Sequence, residues 1–191
     1  NSCLACEEGS TNDAGDDASG EDTSCDSSCL SYSDFDFNSG NQGNIWDIVA
    51  LQDITINSIG FNFNGCNSSS HPVRLYKRTD FGSHEDVEFD SSAWVLIFEN
   101  PAMECNGFSP SSVITGLNVV VPQGERQAFY LDGVSRGLVA DWNAGSSGTL
   151  HYSIPGYMNV YVGSPLPGLF NSGYSGASAA PSISIGFCES E

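Results

Sequence analysis

Ile54-Thr55-Ile56-Asn57-Ser58-Ile59-Gly60-Phe61-Asn62-Phe63 alternates apolar and polar side chains over much of its length. A period of two puts successive side chains on opposite faces of an extended chain, so one face enters a core and the other meets solvent. Just upstream, Ile45-Trp46-Asp47-Ile48-Val49-Ala50-Leu51 is a short apolar run. Downstream, similar runs follow at residues 73–78 after Pro72, at 113–114 and at 117–121 before Pro122. Others lie at 127–131, ending on the turn dipeptide Asp132-Gly133, and at 138–140, 150–152, 159–162 and 183–187. The run Trp94-Val95-Leu96-Ile97-Phe98 reads as a strand buried on both faces or capped by a loop.

These segments amount to about ten short strands bounded by Gly, Pro, Asn and Asp. No window holds a 3.6-residue period over three turns, and the 21 Gly and 8 Pro break up long helices. The pattern predicts an all-β, antiparallel, jelly-roll-like β-sandwich. Residues 163–181 form a long small-residue loop whose apolar tips, Leu166, Leu169, Phe170 and Tyr174, are expected to lie across a sandwich face.

Residues 1–36 differ in kind: Asp, Glu, Ser and Gly dominate, with ten carboxylates and no base. They are read as an acidic, Cys-rich N-terminal arm, and residues 37–191 as the sandwich domain. The whole chain of 191 residues has 24 acidic and 5 basic side chains, a formal net charge of −19. Such a surface repels nucleic-acid phosphates and anionic lipid head groups, so no nucleic-acid partner is expected. The acidity serves solubility or the binding of divalent cations. No apolar stretch is long enough to span a bilayer. The chain starts on Asn1, as expected of a mature N-terminus left after signal removal.

The seven cysteines, Cys3, Cys6, Cys25, Cys29, Cys66, Cys105 and Cys188, show no Cys-rich metal spacing through the body. They point to disulfides and an oxidising, extracellular compartment. A Cys66–Cys105 bridge is plausible, and Cys188 is placed to pin the arm through Cys25 or Cys29. The odd thiol is blocked, free or joined to another chain. Asn67-Ser68-Ser69 is an N-glycosylation sequon, which makes Asn67 a glycan candidate and the chain a glycoprotein candidate.

The order of motifs also carries a resemblance. GNIWDIVALQDITINSIGFNF at 43–63 resembles the opening of a β-sandwich module of secreted bacterial and algal proteins. RLYKRTDFGSHEDVEFDSSAWVLI at 74–97 and VVVPQGERQAFYL at 119–131 are similar to its later strand pairs. LHYS at 150–153 and SISIGF at 182–187 are similar to its end. The resemblance spans about residues 43–187. It implies a jelly-roll-like sandwich in extracellular proteins, with no catalytic residues to carry over. The cysteine-bearing arm departs from it, and a single domain with such an arm also resembles the subunit of an extracellular microbial or algal filament.

Weaker chemistry remains at several residues. Asp13, Asp16 and Asp17 have calcium-loop composition without EF-hand spacing, and Asp34 and Asp36 alternate with Phe35 and Phe37. No cofactor is expected beyond calcium at such carboxylates. His71 precedes Pro72 in a polar loop. His84, beside Glu85 and Asp86, is expected in an exposed loop with solvated charges, a metal site being the sharper reading. His151 is expected on a strand, facing solvent or a neighbour. No GxSxG elbow or HExxH helix occurs, so an enzyme is the least expected class.

The segment carrying Tyr32, Phe35 and Phe37 either joins its own sandwich as first strand or adds to the sheet edge of another copy. The function expected is that of an extracellular structural protein, a self-associating filament or surface-layer subunit that joins copies of itself through its N-terminal arm and strand edges. The rival is a carbohydrate-binding or adhesion module that takes glycans on Trp46, Trp94, Trp142 or Tyr157.

Overall fold

The computed structural model describes residues 10–11, 26–27, 29–35, 39–64, 70–105, 110, 112–134, 137–141, 143–170 and 178–190. It is all-β. In chain order the strands are β1 (Ser10–Thr11), β2 (Asp26–Ser27), β3 (Leu30–Asp34), β4 (Ser39–Asn41), β5 (Gly43–Ala50) and β6 (Ile54–Phe61). Next come β7 (Ser70–Arg78), β8 (Trp94–Glu104), β9 (Ser112–Ile114), β10 (Val119–Val121), β11 (Arg126–Asp132) and β12 (Leu138–Asp141). The last are β13 (Leu150–Ile154), β14 (Met158–Tyr161), β15 (Pro165–Leu166), β16 (Ala180–Pro181) and β17 (Ile183–Glu189).

Two antiparallel sheets form the body. One runs β13-β14-β5-β11-β7-β8, with β15 also on β5. The other runs β10-β6-β17-β3, with β9 also on β6. A small sheet, β16-β12-β4, and the pair β1-β2 complete the set. The chain passes back and forth between the two large sheets, so few of its connections are hairpins. The main core lies between their inner faces. Ile54, Ile56, Ile59 and Phe61 of β6 meet Trp46 and Ile48 of β5 and Phe129 and Leu131 of β11 in one buried cluster. Each such side chain contributes about 1.5–3 kcal/mol on burial. Trp46 stacks on Phe129 with centroids 5.7 Å apart.

The alternation in β6 changes phase. Ile54 and Ile56 point inward, and so do Ile59 and Phe61. A strict period of two cannot do both. The structure resolves the conflict with a β-bulge: Phe187 faces Ile56 and Gly186 faces Ser58, which leaves Asn57 as the extra residue. The Asn57 amide, turned so that its nitrogen donates, reaches the Thr55 and Gly186 carbonyls at 3.2 and 3.1 Å. The bulge is thus held by its own side chain.

Strand β8 corrects one of the two readings of 94–98: it is an edge strand and not buried on both faces, with Val95 40% and Leu96 44% exposed, while Trp94 alone of that run is buried and tied to the β7–β8 connection. It runs through Pro101 to Glu104. Proline is tolerated because its missing N–H breaks no ladder on an outer strand, and the β7–β8 register shifts between His71 and Val73, opposite this stretch.

Strand β3 belongs to the acidic arm in sequence and to the sandwich in space. It pairs with β17, with Tyr32 opposite Ile185 and Asp34 opposite Ile183. The Cys29–Cys188 disulfide fastens it there across 159 residues of sequence. Cys105 is disulfide-bonded as well. Removing the first bridge with Cys29→Ser/Cys188→Ser is expected to cost about 2–4 kcal/mol, because the unfolded chain regains the freedom of a long loop. Urea midpoints measure the loss, and faster amide exchange in β3 locates it.

Candidate functional site

Strand β5 is buried on both faces. Trp46, Ile48 and Ala50 enter the main core, while Ile45 joins Ala128, Tyr130, Trp94 and Leu166 in a second cluster on the outer face. Two segments cover that outer face. One is the β7–β8 connection, tied down where Trp94 Nε1 donates to the Val87 carbonyl at 2.9 Å. The other follows β14 and places Phe170 against Tyr130, with centroids 5.3 Å apart. Gly163 lets this second segment approach, since a Cβ there would lie 1.6 Å from the Ile45 carbonyl oxygen. Ile45 and Ser164 exchange backbone hydrogen bonds beside it, at 3.0 and 3.2 Å.

Asp47 points into this covered face and is fully buried. A buried carboxylate is costly unless donors surround it. Four are present. Ser83 Oγ donates at 2.6 Å to Oδ2, and the His84 amide donates at 2.9 Å to Oδ1. His84 Nδ1 lies 2.9 Å from Oδ1, and Arg126 reaches Oδ2 at 3.4 Å. Arg126 also sits over the Tyr161 ring at 4.5 Å. Burial pushes the Asp47 carboxyl up, but the hydrogen bonds and charge of His84, with the Ser83 hydroxyl and the His84 amide, outweigh it and hold it below the ordinary range.

His84 is also fully buried, which overturns the expectation of an exposed loop. Its second ring nitrogen, Nε2, lies 3.0 Å from Ser147 Oγ in the turn before β13. Ser147 borders a polar cavity of about 400 Å³ lined also by Ser146, Ser164, Ser178, Glu85, Asp86 and Glu88. Burial, with Glu85, Asp86 and Asp47 nearby, raises the Glu88 carboxyl against the pull of His84. Asp47, Ser83 and Ser147 were not singled out from the sequence. The one legible signal was a carboxylate inside the apolar run at 45–51.

Other expected residues fall elsewhere. Asp34 Oδ2 pairs with His151 Nε2 at 3.1 Å, and the Tyr32 ring stacks on Tyr152 at 4.2 Å, so β3 and β13 close one rim of the sandwich. Phe35 follows β3 and is half-buried. Trp46 and Trp94 are buried and offer no exposed aromatic platform, while Tyr157 packs on Phe187. Cys3, Cys6, Asp13, Asp16, Asp17, Cys25, Asp36, Phe37, Cys66, Asn67, Trp142 and Tyr174 lie outside the described residues. Among the described residues no group of three or more His, Cys, Asp or Glu is placed to hold a metal ion. No described helix is long and apolar enough to cross a membrane.

Asp47→Ala is expected to cost about 3–5 kcal/mol at neutral pH, since it strands His84 and Arg126 beside an apolar face. Ser147→Ala, which removes one partly exposed hydroxyl, is expected to cost about 1 kcal/mol. Because folding lowers the Asp47 titration, its contribution is present above the unfolded carboxylate value of about 3.9 and is lost as pH falls through the lower folded value. The gap between native chain and Asp47→Ala in urea midpoint should therefore narrow in acid. No protein-family model and no curated protein matches the chain.

Proposed function

We propose that this protein is a structural subunit of the extracellular space that assembles with copies of itself through the edges of its sheets. The carrying observation is β8. It is eleven residues long, and among the described residues its only ladder partner is β7. Its first half, Val95-Leu96-Ile97-Phe98, has no charged residue. A long apolar edge with free N–H and C=O groups is a template for another strand. Proteins that stay monomeric blunt such edges with charge, proline or bulges. In β8 the charges and the proline fall in the second half, at Glu99, Pro101 and Glu104. Of the two bulges in its ladder with β7, one lies near Val73 and the other leaves Ile97 as the extra residue between Leu96 and Phe98, so the first half carries a bulge and no charge.

Two further features support the reading. The disulfides at Cys29–Cys188 and at Cys105 suit an oxidising compartment. The motif resemblance points to secreted sandwich modules and to filament subunits. A net charge of −19 on the whole chain, ten of its carboxylates in the acidic leader, opposes close approach of copies at low salt, so assembly depends on screening or on a matched contact.

The test is direct. The full chain, oxidised, is followed by light scattering and negative-stain microscopy as salt is raised. Fibres or sheets are expected, forming more readily at high salt. Val95→Lys/Leu96→Lys is expected to abolish them while leaving the monomer's melting temperature nearly unchanged, because both side chains are exposed and surface changes cost within about 0.5 kcal/mol. A native chain that stays monodisperse at every salt concentration, or edge variants that assemble like the native chain, would refute the proposal.

A further inference from the structure

Three elements distant in sequence bring Asp47 of β5, His84 of the β7–β8 connection and Ser147 of the turn before β13 into one line. We propose that this line is a nucleophilic relay, with Ser147 as nucleophile and His84 as its base, that hydrolyses esters carrying a positive charge. The inference stands apart from the assembly reading, since it concerns a cavity on the covered outer face and not an edge.

The geometry is that of a working Ser–His–Asp set. Ser147 Oγ is 3.0 Å from His84 Nε2, and His84 Nδ1 is 2.9 Å from Asp47 Oδ1. An ionised Asp47 accepts the proton on Nδ1, which leaves the Nε2 lone pair for the Ser147 hydroxyl. Asp47 is a positioning residue: its Oδ1 also takes the His84 amide and its Oδ2 takes Ser83, so neither carboxylate nor ring is free to turn. A loop lock would need the contacts between Asp47 and His84. It too would need a partner for the buried far ring nitrogen, but it would not need that partner to border a cavity walled by carboxylates.

The cavity sets the substrate class. Ser147 is partly exposed on it, while the ring behind is fully buried. Glu85, Asp86 and Glu88 on its wall favour a cationic group. Ser146, Ser164 and Ser178 also line it, and their hydroxyls are the neutral donors on which a developing oxyanion would have to draw.

In the first step Ser147 Oγ bonds to the acyl carbon as its proton passes to His84 Nε2. The ester C–O bond breaks, and the leaving alcohol takes that proton. Water then attacks the acyl-serine, giving up a proton to His84. The Oγ–acyl bond breaks, Ser147 recovers its proton, and the carboxylic acid is released.

The test uses the oxidised full chain and two probes. A fluorophosphonate, which bonds to an activated serine as fluoride leaves, is expected to modify Ser147 alone, located by peptide mass spectrometry. A p-nitrophenyl ester bearing a quaternary ammonium group is expected to be cleaved about tenfold faster than its neutral isostere. Ser147→Ala is expected to abolish both signals. His84→Gln is expected to lower both by roughly 100-fold or more, and Ser147→Ala keeps the result readable if His84→Gln misfolds. A native chain that takes no adduct, an adduct spread equally over Ser146, Ser164 and Ser178, or esterase activity surviving Ser147→Ala would overturn the proposal. Equal rates for the two esters would overturn the substrate class.

Discussion

A carboxylate in the middle of a strand buried on both faces has to be paired, and much of this architecture follows from meeting that requirement at Asp47. Of the neighbours of Asp47 on the outer face of β5 and β11, Ile45, Ala128 and Tyr130 supply no charge and only Arg126, at the start of β11, does. The other donors come from the β7–β8 connection, folded down so that Ser83 and His84 reach the carboxylate. Once that connection is down, Val87 receives the Trp94 indole and the second apolar cluster is closed. The carboxylate and the apolar cover are mutually dependent. Without the loop Asp47 would be solvated and the outer face wet, and without Asp47 the loop would keep only its backbone bridge from Gly82 to β11 as a hold on the sheet.

The same loop brings its acidic residues to the rim of a cavity and its histidine to the back of it. The chemistry proposed there would follow from structural pairing: a ring held by one carboxylate presents its other nitrogen in a defined direction, and Ser147 lies in that direction. The surrounding carboxylates give the cavity a sign, which a purely hydrophobic cover would not have.

The two rims of the sandwich are treated differently. On one, β3 is bound three ways, by its ladder to β17, by the Cys29–Cys188 bridge, and by Tyr32 and Asp34 meeting Tyr152 and His151 across to the other sheet. On the other, β8 has no second ladder partner among the described residues and exposes apolar side chains. The exposed apolar residues of β8 lie where charge is locally absent on an otherwise acidic chain. The proposed assembly draws on that contrast.

The strands of the body were legible because a residue's inward or outward direction in extended chain depends only on parity, and turn residues mark where parity restarts. The sequence by itself thus determined an all-β chain, the approximate strand positions and the presence of bridging cysteines. Tertiary structure decided the rest. The bulge at Asn57 needed the opposing Gly186 and Phe187 to appear. The exposure of β8 depended on its place at the end of a sheet, which its apolar composition alone reads as burial. Five residues of the arm became β3 because β17 offered a free side and Cys188 a sulfur. His84 looked solvated beside Glu85 and Asp86, and only the fold could show that its partners lie 37 residues upstream and 63 downstream. Local patterning acts over a few residues, whereas a buried ion pair or a hydroxyl on a ring nitrogen is settled by which distant segments the closed sandwich brings together.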